Sequence, residues 1–332
     1  MERNYCVVLL LGLLSITDAQ VGVCYGRLGD NLPPPNEVVA LCKQYNIQRM
    51  RIYDAKDSSV LQALAGSNIQ LLVDLPGGDL QKVSSSDGAN QWVQNNIKSH
   101  PDVNFRYIAV GNEVKPGDPA AQYVVPAMQN IQNALNAAGL GNKIKVSTSI
   151  ETGALGNSYP PSQGAFSPAY MSAYLDGAIK FLVQNGSPLL VNVYPYFAYM
   201  FNQNVISLEY ALFTSPSVVV QDGSHGYQNL FDAIMDATYS ALEKAGAGNV
   251  EIVVSETGWP SGGGVATTPD NEKTYNTKLV AHIKNGTPKR PGKSIETYLF
   301  DLFDENQKNP EYEKHWGQFL PNKQPKYDIN FN

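Results

Sequence analysis

The chain is poor in charge and in sulfur. Of its 332 residues only 16% are Asp, Glu, Lys or Arg, and the balance is acidic at −6. No run of Lys and Arg occurs, so the clustered positive charge that displaces counterions from nucleic acid is missing, and nucleic acid is excluded as a partner. The four histidines, His100, His225, His282 and His315, fall in unrelated segments without ligand spacing, so no metal is expected. No strand-like run is followed by a Gly-rich dinucleotide fingerprint. The stretch 261–265, S-G-G-G-V, lacks the Lys-Ser/Thr of a phosphate loop and reads as a flexible loop, so no cofactor is expected. No apolar run reaches the ~20 residues that span a bilayer. There is no Pro/Ser-rich linker, no Cys-rich module and no apolar C-terminal tail for lipid anchoring.

What is present begins with a distinct N-terminus. Residues 6–14, C-V-V-L-L-L-G-L-L, follow a short start containing Arg3 and give way to Thr17-Asp18-Ala19. This is the layout of a secretory signal peptide, although Glu2 departs from the usual positive start. The sequence thus predicts a signal at 1–19, one catalytic domain at 20–332, secretion, and no membrane partner once the signal is removed. Cys6 leaves with that segment. Cys24 and Cys42 remain and are read as free buried thiols, because spacing alone does not establish the geometry a bridge needs.

Beyond residue 20, short β-rich apolar runs alternate with longer helical stretches eight times. The β runs are 21–25, 50–53, 69–75, 107–110, 144–149, 189–194, 250–255 and 295–300. Helical spacing shows in Val124, Met128, Ile131 and Leu135, and in Leu230, Ile234, Ala237 and Leu242. Pro34 and Pro35 precede the first helix, and Gly246 and Gly248 close the one expected from Tyr227. Strict alternation means a parallel sheet with right-handed crossovers, and eight units point to an α/β protein of one closed (β/α)8 barrel, a TIM barrel.

In such barrels the active site forms where the strands end. Here the fourth run, Y-I-A-V-G-N-E, stops on Asn112 and Glu113, and the seventh, V-V-S-E-T-G-W-P, on Glu256 with Trp259 beyond. Two carboxyls at neighbouring strand ends are what glycosidic cleavage requires: one protonates the leaving oxygen while the other attacks or stabilises the anomeric carbon. The other ends are polar and aromatic as well: Tyr53-Asp54, the stretch from Asn192 through Tyr194 to Phe197, and Asp304-Glu305-Asn306. Flat rings cover the apolar faces of pyranoses while amides and carboxylates fix their hydroxyls. Glu296, at the start of the eighth run, belongs to the opposite face and is read as structural.

These segments, with Q-V-G-V-C-Y-G, R-M-R-I-Y-D and E-T-Y-L-F-D-L-F-D-E-N-Q-K, strongly resemble the family-17 glycoside hydrolases of plants, the endo-β-1,3-glucanases of the pathogenesis-related class, over essentially the whole chain after residue 20. The resemblance implies Glu256 as nucleophile and Glu113 as general acid and later base of a retaining hydrolase. Glu113 then has to stay protonated, through desolvation or a neighbouring negative charge. From their places at the strand ends, Asn112 beside the acid is read as the contact to a sugar hydroxyl, and Tyr53, Asn192, Tyr194, Phe197 and Trp259 as substrate contacts; the resemblance adds Glu305, Lys308 and Glu313 as polar cleft residues. The implied substrate is a β-glucan, from fungal walls or the plant's callose, acted on by a monomer. The Y-D-I-N-F ending without an extension favours the apoplast over the vacuole. Two departures from the family pattern bear on fine specificity: Asp301, where a small or apolar residue is common, and 315–319, H-W-G-Q-F, where an F-G-L-F-like run is expected. A mixed-linkage β-1,3;1,4-glucanase and a glucan-binding defence protein are the competing readings; the presence of both Glu113 and Glu256 argues against the second.

Overall fold

The computed structural model describes residues 21–331, so the signal expected at 1–19 lies outside the described residues. Eight strands form a closed barrel: β1 (Val21–Cys24), β2 (Arg49–Ile52), β3 (Gln70–Leu75), β4 (Asn104–Asn112), β5 (Lys145–Glu151), β6 (Leu189–Asn192), β7 (Ile252–Thr257) and β8 (Thr297–Leu299). Each pairs in parallel with the next along the chain. β8 closes the ring on β1, with Val21 opposite Thr297 and Val23 opposite Leu299. All eight runs expected from the sequence are strands. They were legible because a parallel strand covered on both faces has to be apolar nearly throughout, as the fully buried VGVC of β1 and LLVN of β6 are.

Helices follow the strands: α1 (Pro35–Gln44), α2 (Ser58–Leu64), α3 (Ser86–Val93), α4 (Val124–Ala137), α5 (Asp176–Asn185), the short α6 (Pro195–Phe201) at the mouth of the barrel, α7 (Leu230–Lys244) and α8 (Pro269–His282). In α4 the fully buried stripe Val124, Ala127, Met128, Ile131 and Leu135 faces inward. Burying each larger side chain of such a stripe contributes about 1.5–3 kcal/mol. Pro35 is the first residue of α1 rather than a residue ahead of it, since a helix leaves its first N–H unpaired and loses nothing to proline there. α7 starts later than expected. Tyr227 belongs to a two-stranded hairpin, and the Asn229 side chain caps the helix by accepting from the Asp232 N–H at 2.8 Å. Cys24 and Cys42 are buried and unbridged.

The bottom of the barrel is closed by charge. Glu296 accepts from Arg106 at 2.7 and 3.1 Å and from the hydroxyls of Tyr107 and Tyr298 at 3.1 Å each, which confirms its place on the face away from the strand ends. At the other end, β4 and β7 each lose register just before their terminal carboxylates, between Ala109 and Asn112 and between Val254 and Glu256. Such bulges re-aim side chains. They turn Glu113 and Glu256 toward the mouth instead of continuing the in-and-out alternation.

Candidate active site

The strand ends surround a cleft of ≈ 880 Å³. Glu113 stands at its floor in a left-handed backbone conformation, φ +51°, following Gly111 at φ +80°. A non-glycine residue there is strained and has to be held by its surroundings. The Glu113 N–H donates to the Ser149 carbonyl of β5 at 2.9 Å, and Asn192 of β6 donates to its Oε1 at 2.8 Å. Glycine at 111 is required by its positive φ and because a Cβ would stand 2.9 Å from Val114 Cγ2.

Glu256 is fixed by three donors. Arg51 Nη1 and the Tyr53 hydroxyl reach Oε1 at 2.9 Å each, and the Tyr194 hydroxyl reaches Oε2 at 2.7 Å. Arg51, fully buried in the barrel centre, links the rest: it bonds Asp74 at 3.1 and 2.7 Å, Asn112 Oδ1 at 2.9 Å and Asn192 Oδ1 at 3.1 Å. Asn192 also donates to Asn112 Oδ1 at 3.0 Å. One guanidinium and one amide thus join both carboxyls into a single network. Desolvation, and after it the negative charge of Glu256, pushes the Glu113 carboxyl up to about 7. A carboxylic acid that keeps its proton near neutrality is suited to protonating a leaving group.

Of the residues singled out in the sequence, Tyr53, Asn112, Glu113, Asn192, Tyr194, Phe197, Glu256, Glu305, Lys308 and Glu313 all line this cleft. Lys308 Nζ lies 3.1 Å from Glu305 Oε2, 3.9 Å from Glu313 Oε2 and 4.2 Å above the Phe300 ring. Tyr53 and Tyr194 do more than wall the cleft, since their hydroxyls hold Glu256. Trp259 is a correction: it is fully buried and does not reach the cleft. Gly258 passes so close to β8 that a Cβ would stand 2.3 Å from the Phe300 carbonyl, and the following tryptophan is packed behind the barrel rim. There its ring meets Tyr196, Tyr199 and Tyr275 at 5.1, 6.0 and 5.7 Å, and its indole N–H donates to the Ala266 carbonyl at 2.9 Å.

The tryptophan at the cleft is Trp316, against Tyr194, Phe197 and Phe300 at 5.3, 5.7 and 5.8 Å. Sequence reasoning passed over it, and over Arg51, although a charged residue inside a strand buried on both faces was a usable signal.

The chain that builds this pair of carboxyls matches the family model for glycosyl hydrolases family 17 across residues 21–331. The chain belongs to glycosyl hydrolase family 17. Among its relatives, a Vitis vinifera protein named glucan endo-1,3-beta-glucosidase is 54% identical over 342 residues, covering 100% of this chain and 98% of that one. A Nicotiana tabacum protein named glucan endo-1,3-beta-glucosidase, basic vacuolar isoform, is 52% identical and covers 98% of this chain and 90% of its own length. Among solved structures, a beta-1,3-glucanase and allergen of Cryptomeria japonica pollen superposes with TM-score 0.90 at 47% identity, over 94% of this chain and 99% of that one. A plant beta-glucan endohydrolase, from a pair described as having distinct substrate specificities, gives 0.89 at 45%, over 93% and 99%. The fold and glycosidase chemistry expected from the sequence are those of the family.

Proposed function

We propose that this family 17 hydrolase cleaves internal 1,3-β-D-glucosidic bonds of β-glucans by double displacement with retention of configuration. The observation that carries the reading is Glu113, raised to about 7, joined through Asn192 and Arg51 to a Glu256 carboxyl gripped by Arg51, Tyr53 and Tyr194. Glu113 protonates the glycosidic oxygen as Glu256 attacks the anomeric carbon, giving a covalent glycosyl-enzyme. Glu113, now a carboxylate, takes a proton from water, which attacks the same carbon and frees Glu256. The Asn112 oxygen is occupied by Arg51 and Asn192, which leaves its amide N–H₂ for a sugar hydroxyl beside the cleaved bond. Tyr53, Tyr194, Phe197, Phe300 and Trp316 supply ring faces, and Glu305, Lys308 and Glu313 bind hydroxyls along the wall formed after β8.

The relatives' names, glucan endo-1,3-beta-glucosidase, support the linkage. Reducing-sugar release from laminarin, compared with Glu256→Ala and with lichenan in parallel, is the deciding experiment. Turnover of laminarin that vanishes in the variant supports linkage and nucleophile together. Preference for lichenan moves the reading to a mixed-linkage enzyme, and no turnover of either leaves a glucan-binding protein. Proton NMR of the first-formed anomer separates retention from inversion.

We place residues 20–332 as one catalytic unit, acting as a monomer outside the cell after removal of 1–19, in defence or in wall and callose turnover. Among the described residues no helix is long and apolar enough to cross a membrane. Relatives named basic vacuolar isoforms make the vacuole the competing address, and the acidic balance of −6 sets this chain apart from that description. The N-terminal sequence of protein recovered from apoplastic fluid tests cleavage and address together.

A further inference from the structure

Asp301 is a residue that the mechanism does not use and that the family pattern does not predict. It follows β8 and is 1% exposed. Its backbone is paired on both sides, N–H to the Trp316 carbonyl at 2.9 Å and carbonyl to the Gln318 N–H at 2.8 Å, so its side-chain position is set by the fold. Oδ1 accepts from the Gly26 N–H at 3.1 Å and the Leu302 N–H at 2.6 Å. Oδ2 is buried and has no donor. It shares the space over Gly26 with Glu305: a Cβ on Gly26 would stand 2.4 Å from Asp301 Oδ2, 2.4 Å from Glu305 Oε2 and 2.5 Å from Glu305 Oε1. Two carboxyls crowded into one buried space with no donor between them need a proton there, because two carboxylates at such range repel.

We propose that Asp301 is a positioning residue that donates its carboxyl proton to Glu305, and thereby holds Glu305 and Lys308 in the glucan-binding wall of the cleft. The O–H of Asp301 supplies the missing donor for Oδ2, Glu305 Oε1 keeps the Leu28 N–H, and Glu305 Oε2 keeps Lys308 at 3.1 Å. The charged groups around Asp301 are Glu305 and Lys308 on its own loop and Glu313 across Lys308, and the titratable groups facing it from the end of β1, Cys24 and Tyr25, are kept neutral by burial. Burial, and after it the charge of Glu305, holds the Asp301 carboxyl well above the usual carboxylate range. When alkali removes the proton, the two acids repel, Glu305 is pushed off the Leu28 N–H, and Lys308, drawn to both carboxylates, leaves its place in the wall. Glucan binding then weakens on the alkaline side through KM, whereas loss of the Glu113 proton acts on kcat.

This inference rests on the glucanase reading for its kinetic arm, and a second arm is independent of it. In protein labelled with carboxyl-¹³C aspartate, the resonance absent from Asp301→Asn stays at its protonated position through neutral pH; titration in the ordinary carboxylate range overturns the proposal whatever the enzyme does. With laminarin, Asp301→Ala raises KM about tenfold, the effect of losing one hydrogen bond to a charged group, with kcat nearly unchanged. Asp301→Asn, which still donates, restores KM and abolishes its alkaline rise. An unchanged KM in Asp301→Ala, or the wild-type alkaline rise in Asp301→Asn, overturns the proposal, while a wild type inactive on laminarin sinks the glucanase reading and leaves the NMR arm to judge the proton.

Discussion

Arg51 and Asp74 form a two-pronged ion pair at the centre of the barrel, at 3.1 and 2.7 Å and without contact to solvent, and the same guanidinium reaches Glu256 at 2.9 Å. Both carboxylates depend on one cation. Removing one partner of a buried pair strands the other, at a cost of about 3–5 kcal/mol. Arg51→Met is therefore expected to lower stability by that amount in chemical denaturation. Arg51→Lys keeps the charge and loses the fork that serves Asp74, Asn112, Asn192 and Glu256 at once, so it is expected to fold and to lose most of its kcat.

Tyr53 and Tyr194 each place a hydroxyl on Glu256, which gives them a role beyond that of cleft walls. Phenylalanine keeps the ring and removes the donor. Losing a hydrogen bond to a charged group costs about 1.5–3 kcal/mol, so Tyr53→Phe and Tyr194→Phe are each expected to lower kcat about ten- to hundredfold while KM moves little. Steady-state kinetics on laminarin test the second role: unchanged kcat in both variants leaves the tyrosines as walls only.

The sequence disclosed the barrel because every strand is covered on both faces, and it disclosed the two acids because they end such runs. What it hid depends on direction. In R-M-R-I-Y, nothing local says that Arg51 points to the barrel centre while Arg49 stays near the bottom with Glu296. The turn of the chain at Gly258 decides that Trp259 packs outward, and Trp316 reaches the cleft only because the segment after β8 folds back, with Phe319 bridging Phe303. Those are tertiary facts with no local periodicity behind them.

Trp259 and Trp316 make this separation measurable. Trp259→Ala empties a site among Tyr196, Tyr199 and Tyr275 and is expected to cost about 3–5 kcal/mol of stability, with KM unchanged in the folded fraction. Trp316→Phe keeps an aromatic ring in the cleft wall and is expected to raise KM for laminarin with a smaller loss of stability. Thermal melts and kinetics on the same preparations check both, and a KM effect confined to Trp259 reverses the assignment.

Glu113 ties activity and stability to one proton. Its carboxyl is raised from 4.5 to about 7, chiefly by desolvation and then by Glu256, so the acid form that protonates the leaving oxygen persists below pH 7 and is lost above it. kcat is expected to fall on the alkaline side with a midpoint near 7. Because the folded state binds this proton more tightly than the unfolded chain, the group's contribution to stability is complete below about 4.5 and is lost as pH rises through 7. Glu113→Gln, which cannot ionise, is expected to lose nearly all turnover and yet to gain melting temperature over wild type at pH 8, with little gain at pH 4. Glu256→Gln removes the lesser cause and leaves the larger, so an NMR titration should find Glu113 lowered there and still above the ordinary range. A Glu113 that titrates normally in wild type would place the general acid elsewhere in the cleft.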